Sequence, residues 1–278
     1  HGDRTGVSRV AESLRNGTGS EVRDFRSGAA LLVALTARPE NAPLLRDLLD
    51  TDPDRMVRKH SAIGLGTLGG EENREALARA LIGETNVEVR AWAALASGRA
   101  ATAGETPDAA LLRSLAEDPA GEVRGAAAYA LSRAGGEELP AILISSFRHE
   151  EHSMARLGAV AGLAPRAGEE LAAAFLADEG VPFLRTAAEA DASALVRIYS
   201  VAALTLLPEA AGRGETFRAV SSSDKNPFLR LAAADALIRT EGAQAAPFLE
   251  ERLLSETTDW VKAQLEAKLA AVRPPTDR

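Results

Sequence analysis

The chain has no cysteine, which excludes disulfide staples, thiolate nucleophiles and Cys-ligated zinc or iron–sulfur centres, while leaving reducing and oxidising compartments equally open. Long apolar runs are also missing. The longest stretches free of Asp, Glu, Lys and Arg (27–37, 60–70 and 198–208) are eleven residues, against the roughly 20 that cross a bilayer. No membrane span is expected. Aromatics make up only 4% of the chain, and no segment shows the apolar–polar alternation of a half-buried strand. Positive charge is not in excess either. A net charge of −8 and a pI near 5.2 set the field of the molecule against phosphate backbones, so nucleic acid is not an expected partner without a local basic patch. The first residue is His1, which fits a processed end, a tag remnant or a regulatory domain excised from a larger chain.

What is abundant points to helices. Ala (57) and Leu (36) fill a third of the 278 residues, and both are strong helix formers. Arg outnumbers Lys 28 to 4, which raises the question of whether Arg recurs at one structural position. It does. The segments MVRKHSAIGLG (56–66), EVRAWAALASG (88–98), EVRGAAAYALS (122–132), MARLGAVAGLA (154–164), LVRIYSVAALT (195–205), FLRLAAADALI (228–238) and WVKAQLEAKLA (260–270) align without gaps, with DFRSGAALLVA (24–34) as a weaker first member. Their anchors are Arg26, Arg58, Arg90, Arg124, Arg156, Arg197, Arg230 and Lys262, separated by 32, 32, 34, 32, 41, 33 and 32 residues. A near-constant period of this length marks an array of supersecondary units.

Within each copy, apolar or small residues recur one before the anchor and three and seven after it, the spacing of one helical face. The third and fourth positions are mostly Ala, which lets neighbouring helices approach closely. Six residues before seven of the anchors stands an acid: Asp52, Glu84, Asp118, Glu150, Asp191, Asp224 and Glu256. Where Pro follows, as in Asp52–Pro53 and Asp118–Pro119, the pair reads as a helix start with Asp as N-cap. Amphipathic stretches at 40–49, 73–82, 109–117, 139–147, 182–189 and 245–254 supply the other helix of each repeat, and Gly69–Gly70, Gly135–Gly136 and Gly212–Arg213–Gly214 read as interhelical turns.

The pattern of an acid, Val-Arg, Ala-Ala and then Leu, at a period near 32, resembles the HEAT-like repeat family in its short bacterial form. The resemblance implies an all-α fold, a right-handed α-solenoid (superhelix) of about eight two-helix repeats. Its second helices would line the concave face, and the repeated Arg and acid would bond from repeat to repeat. One domain is expected over 1–278. It would comprise an N-terminal cap helix within 1–19, repeats over 20–271 with an insertion near 165–180, and a tail at 272–278. Glu266 and Lys268 give the last repeat the polar face a terminal cap needs.

Chemical motifs are sparse. Gly64–Leu65–Gly66–Thr67–Leu68–Gly69 matches the dinucleotide-binding pattern in letters, but no strand precedes it and its glycines end a repeat helix, so close packing or a helix end is expected. Ser222–Ser223–Asp224–Lys225 matches Ser-x-x-Lys in a polar turn without a partner motif, and Asn16–Gly17–Thr18 is a formal glycosylation sequon. His149–Glu150–Glu151–His152 offers metal-ligand types. Deoxyhypusine hydroxylase, a HEAT-like enzyme, uses several His-Glu pairs to hold two irons, whereas this chain has only His149–Glu150. No metal or cofactor is therefore expected. The phycobilin lyase group is similar in length and repeat pattern, which makes a lyase-like enzyme or enzyme subunit the alternative reading, with no bilin signature in the residues. A HEAT-like DNA glycosylase would want a cationic groove.

What remains is surface. If the core face is as described, the exposed arc of each second helix centres one, five and nine residues after the anchor, with the second position at its edge. Those slots hold His60, Trp92 and Tyr199 (second), Tyr129 and Asp235 (fifth), and Arg99, Arg133 and Arg239 (ninth). Aromatic and Arg side chains are what binding hot spots favour, against partial burial between helices or plain solvation. The expected function is a non-catalytic scaffold for a protein or peptide partner.

Overall fold

The computed structural model describes residues 20–101, 108–135, 138–164, 179–207 and 211–273. Helices alternate as the repeat predicts. The anchor-bearing B helices are α1 (Ser20–Thr36), α3 (Arg55–Leu68), α5 (Val87–Ala100), α7 (Gly121–Ala134), α9 (Ser153–Leu163), α11 (Ala194–Leu206), α13 (Pro227–Glu241) and α15 (Asp259–Val272). Between them stand the A helices: α2 (Ala42–Thr51), α4 (Glu71–Gly83), α6 (Ala109–Glu117), α8 (Leu139–Arg148), α10 (Val181–Ala190), α12 (Arg213–Ser223) and α14 (Ala246–Ser255). Among the described residues there is no strand, and no helix is long and apolar enough to cross a membrane. The expected cap helix within 1–19, the sequon, most of the insertion at 165–180 and residues 274–278 lie outside the described residues.

The chain divides into two compact units, residues 1–139 with 146–162, and residues 140–145 with 163–278. In the first, α1, α3, α5 and α7 pack in sequence against one another, and α3, α5 and α7 each pack against the A helix that precedes them. In the second, α11, α13 and α15 do the same over α10, α12 and α14.

The core is the one the periodicity draws. Seven residues after each anchor, Val33, Leu65, Ser97, Leu131, Leu163, Leu204, Leu237 and Leu269 are all buried. One residue before it, Val57, Val89, Val123, Ala155, Val196, Leu229 and Val261 are buried, whereas Phe25, in the weakest copy, is exposed at 59%. Helix α12 was not among the expected amphipathic stretches because half of its buried face is polar. Thr216 and Ser221 are buried beside Phe217 and Val220, and Thr216 satisfies itself by donating to Glu189 (2.6 Å) and accepting from Arg185 Nε (3.1 Å).

The turns follow their chemistry. Gly69 and Gly70 adopt φ of 63° and 85°, left-handed backbone that favours glycine, and so reverse the chain between α3 and α4. Helices α3, α5, α6 and α13 are capped by Asp54, Asn86, Asp108 and Asn226, each accepting a backbone N–H of the first turn.

Candidate functional site

The repeated Arg and acid form a ladder. Arg58 donates through Nε and Nη2 to both oxygens of Glu84 (2.6 and 3.0 Å), Arg90 to Asp118 (2.9 and 3.1 Å) and Arg124 to Glu150 (2.6 and 2.7 Å). In the second unit, Arg197 pairs with Asp224 and Arg230 with Glu256 in the same way, and Arg26 pairs with Asp52 in the first. The remaining guanidinium nitrogen of Arg58, Arg90, Arg124, Arg197 and Arg230 reaches back to its own repeat, as Arg90 Nη1 does to the carbonyls of Glu84 and Thr85. Each of these five guanidinium groups thus joins two successive interhelical turns in a planar, two-pronged geometry.

The acids are not the N-caps their sequence context suggested. Asp52 and Asp118 terminate α2 and α6, three residues before the next helix, and their carboxylates accept the backbone N–H of Asp54 and Ala120. Pro53 and Pro119 lie in the link and not in the first turn. A carboxylate that must meet the preceding Arg has to stand off the helix axis, and the two-residue turn places it there. The ladder also lowers carboxylate pKa values. The guanidinium of Arg124 holds Glu150 below the ordinary carboxylate range, aided by the His152 N–H. Burial pushes Glu84 up, but hydrogen bonds from Arg58 and Asn86 outweigh it and leave it low.

The ladder also divides the His149–Glu150–Glu151–His152 motif. Glu150 is a rung of the ladder, His149 ends α8 at an exposed position, and the His152 ring lies against Gly121, with Nε2 3.7 Å from Glu122. Among the described residues, no three His, Asp or Glu side chains are gathered as a metal would require. The Gly64–Gly66 pattern is a packing device. A Cβ on Gly66 would stand 2.7 Å from the Ala96 backbone, and one on Gly64 would stand 2.8 Å from Leu45. Ser222 and Ser223 end α12, and Asp224 beside them belongs to Arg197.

The surface candidates divide. Trp92, Arg99, Tyr129 and Arg133 come together from α5 and α7 and line one cavity of about 330 Å3. Ile63 from α3, with Leu95 and Ala96 from α5, completes its floor. Trp92 and Tyr129 are 37% and 41% exposed, and both Arg residues are exposed at the last turn of their helices. Lys59 Nζ lies 5.9 Å from the centre of the Trp92 ring, and Glu88 accepts from Lys59 (2.8 Å) and Arg55 (2.7 Å). Arg133 Nε donates to the Gly98 carbonyl (3.2 Å), fixing its guanidinium over the end of α5.

Asp235 and Arg239 line a second cavity, in the second unit, with Ile198, Ala202, Leu206 and Ala232. Asp235 is engaged by Lys268 at 2.5 Å. Tyr199 is exposed on the same helix face but outside that lining.

His60 is a correction. It is buried, only 8% exposed, with Nδ1 2.9 Å from the Ser27 carbonyl. The reason is general: the second position after one anchor meets the first position after the preceding anchor. His60 touches Ser27, Trp92 faces Lys59 and Gly158 abuts Gly125 in this way. A ring as small as imidazole is swallowed by that contact, whereas indole overhangs it. Burial pushes the His60 pKa below its ordinary 6.5 against the raising effect of the Ser27 carbonyl. A histidine proton titration by NMR is expected to give a midpoint below that value. Because the unfolded chain then binds the proton more tightly, His60 withdraws stability as pH falls through 6.5 towards its folded pKa. A midpoint at or above 6.5 would contradict this placement.

Ile63, Leu95 and Ala96 were not singled out in sequence because they read as ordinary apolar residues. Their slots, the fifth and sixth after the anchor, were the available signal.

Two-helix repeats stacked B helix on B helix and tied by a guanidinium–carboxylate ladder define an α-helical repeat protein. The family profile for HEAT repeats matches residues 11–98, 75–164 and 181–270, so the chain belongs to the HEAT repeat family. No curated protein matches it significantly. Among solved structures, it is similar to human deoxyhypusine hydroxylase in complex with glycerol (22% identity, TM-score 0.39, 86% of each chain covered). It is also similar to two engineered proteins, one at 22% identity and TM-score 0.49 (95% of this chain, 77% of that one) and one at 20% and 0.35 (96% of each).

Proposed function

We propose that this chain is a non-catalytic scaffold that binds a protein or peptide along its B-helix face, the face that the family resemblance makes concave. The observation that carries the reading is the convergence of Trp92, Arg99, Tyr129 and Arg133 on one apolar-floored groove. Arg99 and Arg133 come from the equivalent ninth slot of neighbouring repeats, Trp92 from the second slot of α5 and Tyr129 from the fifth of α7. Anchors of these types, half covered and flanked by an apolar floor, are the usual makers of binding energy. The perturbed carboxylates support a structural use of charge: Glu84, Glu150 and Glu256 owe their lowered pKa values to the ladder and not to a reactive cleft.

The test is the double variant Trp92→Ala/Tyr129→Ala. A partner identified by affinity capture from the native host is expected to bind it about tenfold or more weakly, which is about 1.4 kcal/mol or more. Its circular dichroism should keep the helical signal of the parent. Undiminished affinity for that partner would return both residues to a packing role.

A further inference from the structure

We infer that the second unit carries a docking groove of its own, between α11 and α13, and that it takes one amphipathic helix laid antiparallel to them, with an acidic residue in its first turn facing Arg239. This groove belongs to the other unit from the one over α3, α5 and α7, and the two share no lining residue. Its walls come from equivalent slots of neighbouring helices. On α11, Leu195, Tyr199, Ala202 and Leu206 follow at intervals of four, three and four residues, and all are exposed. Phe228, Ala232, Asp235 and Arg239 follow at the same intervals on α13. Two parallel stripes thus run for about three helical turns, about 16 Å at 1.5 Å per residue. Between them, over 198–206 and 232–239, lies a cavity of about 390 Å3 that Ile198, Leu206 and three alanines make apolar.

The scarcity of polar partners decides the form of the occupant. Among the described residues the cavity has three polar members, and two are committed: Thr205 donates to the Val201 carbonyl (2.7 Å) and Asp235 is held by Lys268 (2.5 Å). An extended peptide laid here would bury N–H and C=O groups without partners. A helix satisfies its own backbone and offers the groove side chains alone. The floor suits it, because Ala202, Ala232 and Ala236 are small enough for the ridge of a third helix to come close. Apolar residues at i, i+3, i+4 and i+7 form such a ridge. Charge complementarity sets the direction. Arg239, the third polar member, is exposed in the last turn of α13. The acids nearest to it in sequence are both engaged elsewhere, Asp235 by Lys268 and Glu241 by Arg218 (2.8 and 2.5 Å). A helix running antiparallel to α11 and α13 brings its first turn to the Arg239 end, and the acid that its own dipole favours there is the residue a guanidinium attracts. A parallel helix would bring its last turn, where cations are favoured, against the same guanidinium.

The experiment uses the full chain and fluorescein-labelled helical peptides of about three turns, read by fluorescence anisotropy. Each peptide has leucine at i, i+3, i+4 and i+7 and carries Glu, Gln or Lys in its first turn. The Glu peptide is expected to bind about fivefold more tightly than the Gln peptide, the contribution of a partly exposed ion pair. Proline in its middle turn should weaken it by about tenfold or more. Ala202→Gln, which fills the exposed floor with a polar side chain, should weaken all three peptides about equally. Arg239→Glu should place the Lys peptide above the Glu peptide, a reversal that misfolding cannot produce, because a misfolded chain would lose both. Trp92→Ala/Tyr129→Ala should leave every affinity unchanged. No binding of the Glu peptide, equal binding of the Glu and Gln peptides, or a proline peptide as tight as its helical parent overturns the inference. So does a Glu preference that appears only in the Glu209→Gln chain, because Arg239 would then be spent on the acid that follows α11 in sequence. Peptide binding that disappears in Trp92→Ala/Tyr129→Ala would seat the peptide in the first unit's groove, supporting that reading and overturning this one.

Discussion

Glu256→Gln is expected to destabilise the second unit by about 4 kcal/mol, because it leaves two guanidinium groups without their counter-charge in a buried site. Glu256 is 4% exposed and is the most heavily bonded rung of the ladder. It accepts from Arg230 Nε and Nη2 (2.9 and 2.6 Å), from Arg252 Nη2 (2.7 Å) and from the backbone N–H of Thr257 and Thr258 (3.0 and 2.9 Å). Arg252 is itself 5% exposed and spends Nε on the Ser221 carbonyl (2.9 Å), so it cannot follow the lost charge into solvent. A glutamine offers one acceptor oxygen where two are used, and turns an NH2 towards a guanidinium.

The same bonds, led by those from Arg230, pull the Glu256 pKa from 4.5 down to about 2. A carboxylate with a depressed folded pKa contributes stability that is fully present above the unfolded pKa and is lost as pH falls through the folded one. Urea titrations followed by Trp260 fluorescence in a Trp92→Phe background should therefore show the parent losing stability between about pH 4.5 and 2, with the gap to Glu256→Gln closing over the same window. Equal stability of parent and variant at neutral pH would mean that the ladder records repeat geometry without holding it.

The ladder was legible in the sequence as a spacing but not as a chemistry. An acid at a fixed six residues before the Arg or Lys anchor is visible in seven repeats, and the family resemblance supplied its role of bonding between repeats. The Pro after Asp52 and Asp118 nonetheless drew the acid into the wrong local job, because Asp-Pro before a helix is also the signature of a cap. Two demands on one residue type cannot be separated by letters. The core was legible because burial follows the helical period: Leu65, Leu131 and Leu237 needed no tertiary information. The groove was legible in part. Trp92, Tyr129, Arg99 and Arg133 stand where a 100° rotation per residue puts them, but His60 and Trp92 share one slot and differ in fate. That slot faces the preceding B helix, against Ser27 or Lys59, and there the size of the ring decides whether it is covered. Asp235 pairs with Lys268, which the sequence had marked only as a polar end.

That same interhelical slot supports the second large expectation, which pairs two identical substitutions with opposite signs. Gly158 of α9 abuts Gly125 of α7 so closely that a Cβ on Gly158 would stand 2.0 Å from the Gly125 carbonyl oxygen and 2.6 Å from its Cα, and one on Gly125 would stand 2.2 Å from the Met154 carbonyl oxygen. These are backbone atoms with no rotamer to yield, so Gly158→Ala must push two helices apart, at a cost of about 3 kcal/mol. The better helix propensity of Ala returns no more than about 1 kcal/mol of that. Displacing α9 also strains the Arg124–Glu150 rung beneath the same pair of helices.

Gly28 lies inside α1, in the equivalent slot of the first copy, and a Cβ there would meet nothing within 4 Å. Gly28→Ala is expected to raise stability by about 0.5–1 kcal/mol through lost backbone freedom in the unfolded chain alone. Thermal melts by circular dichroism should therefore move down for Gly158→Ala and up for Gly28→Ala. Shifts of the same sign would show that the close approach of α7 and α9 is not what holds the first unit's B helices in register. A rescued melt in the Gly125→Ala/Gly158→Ala chain, relative to either single variant, would show the same, because two added methyl groups at that contact can only deepen the clash.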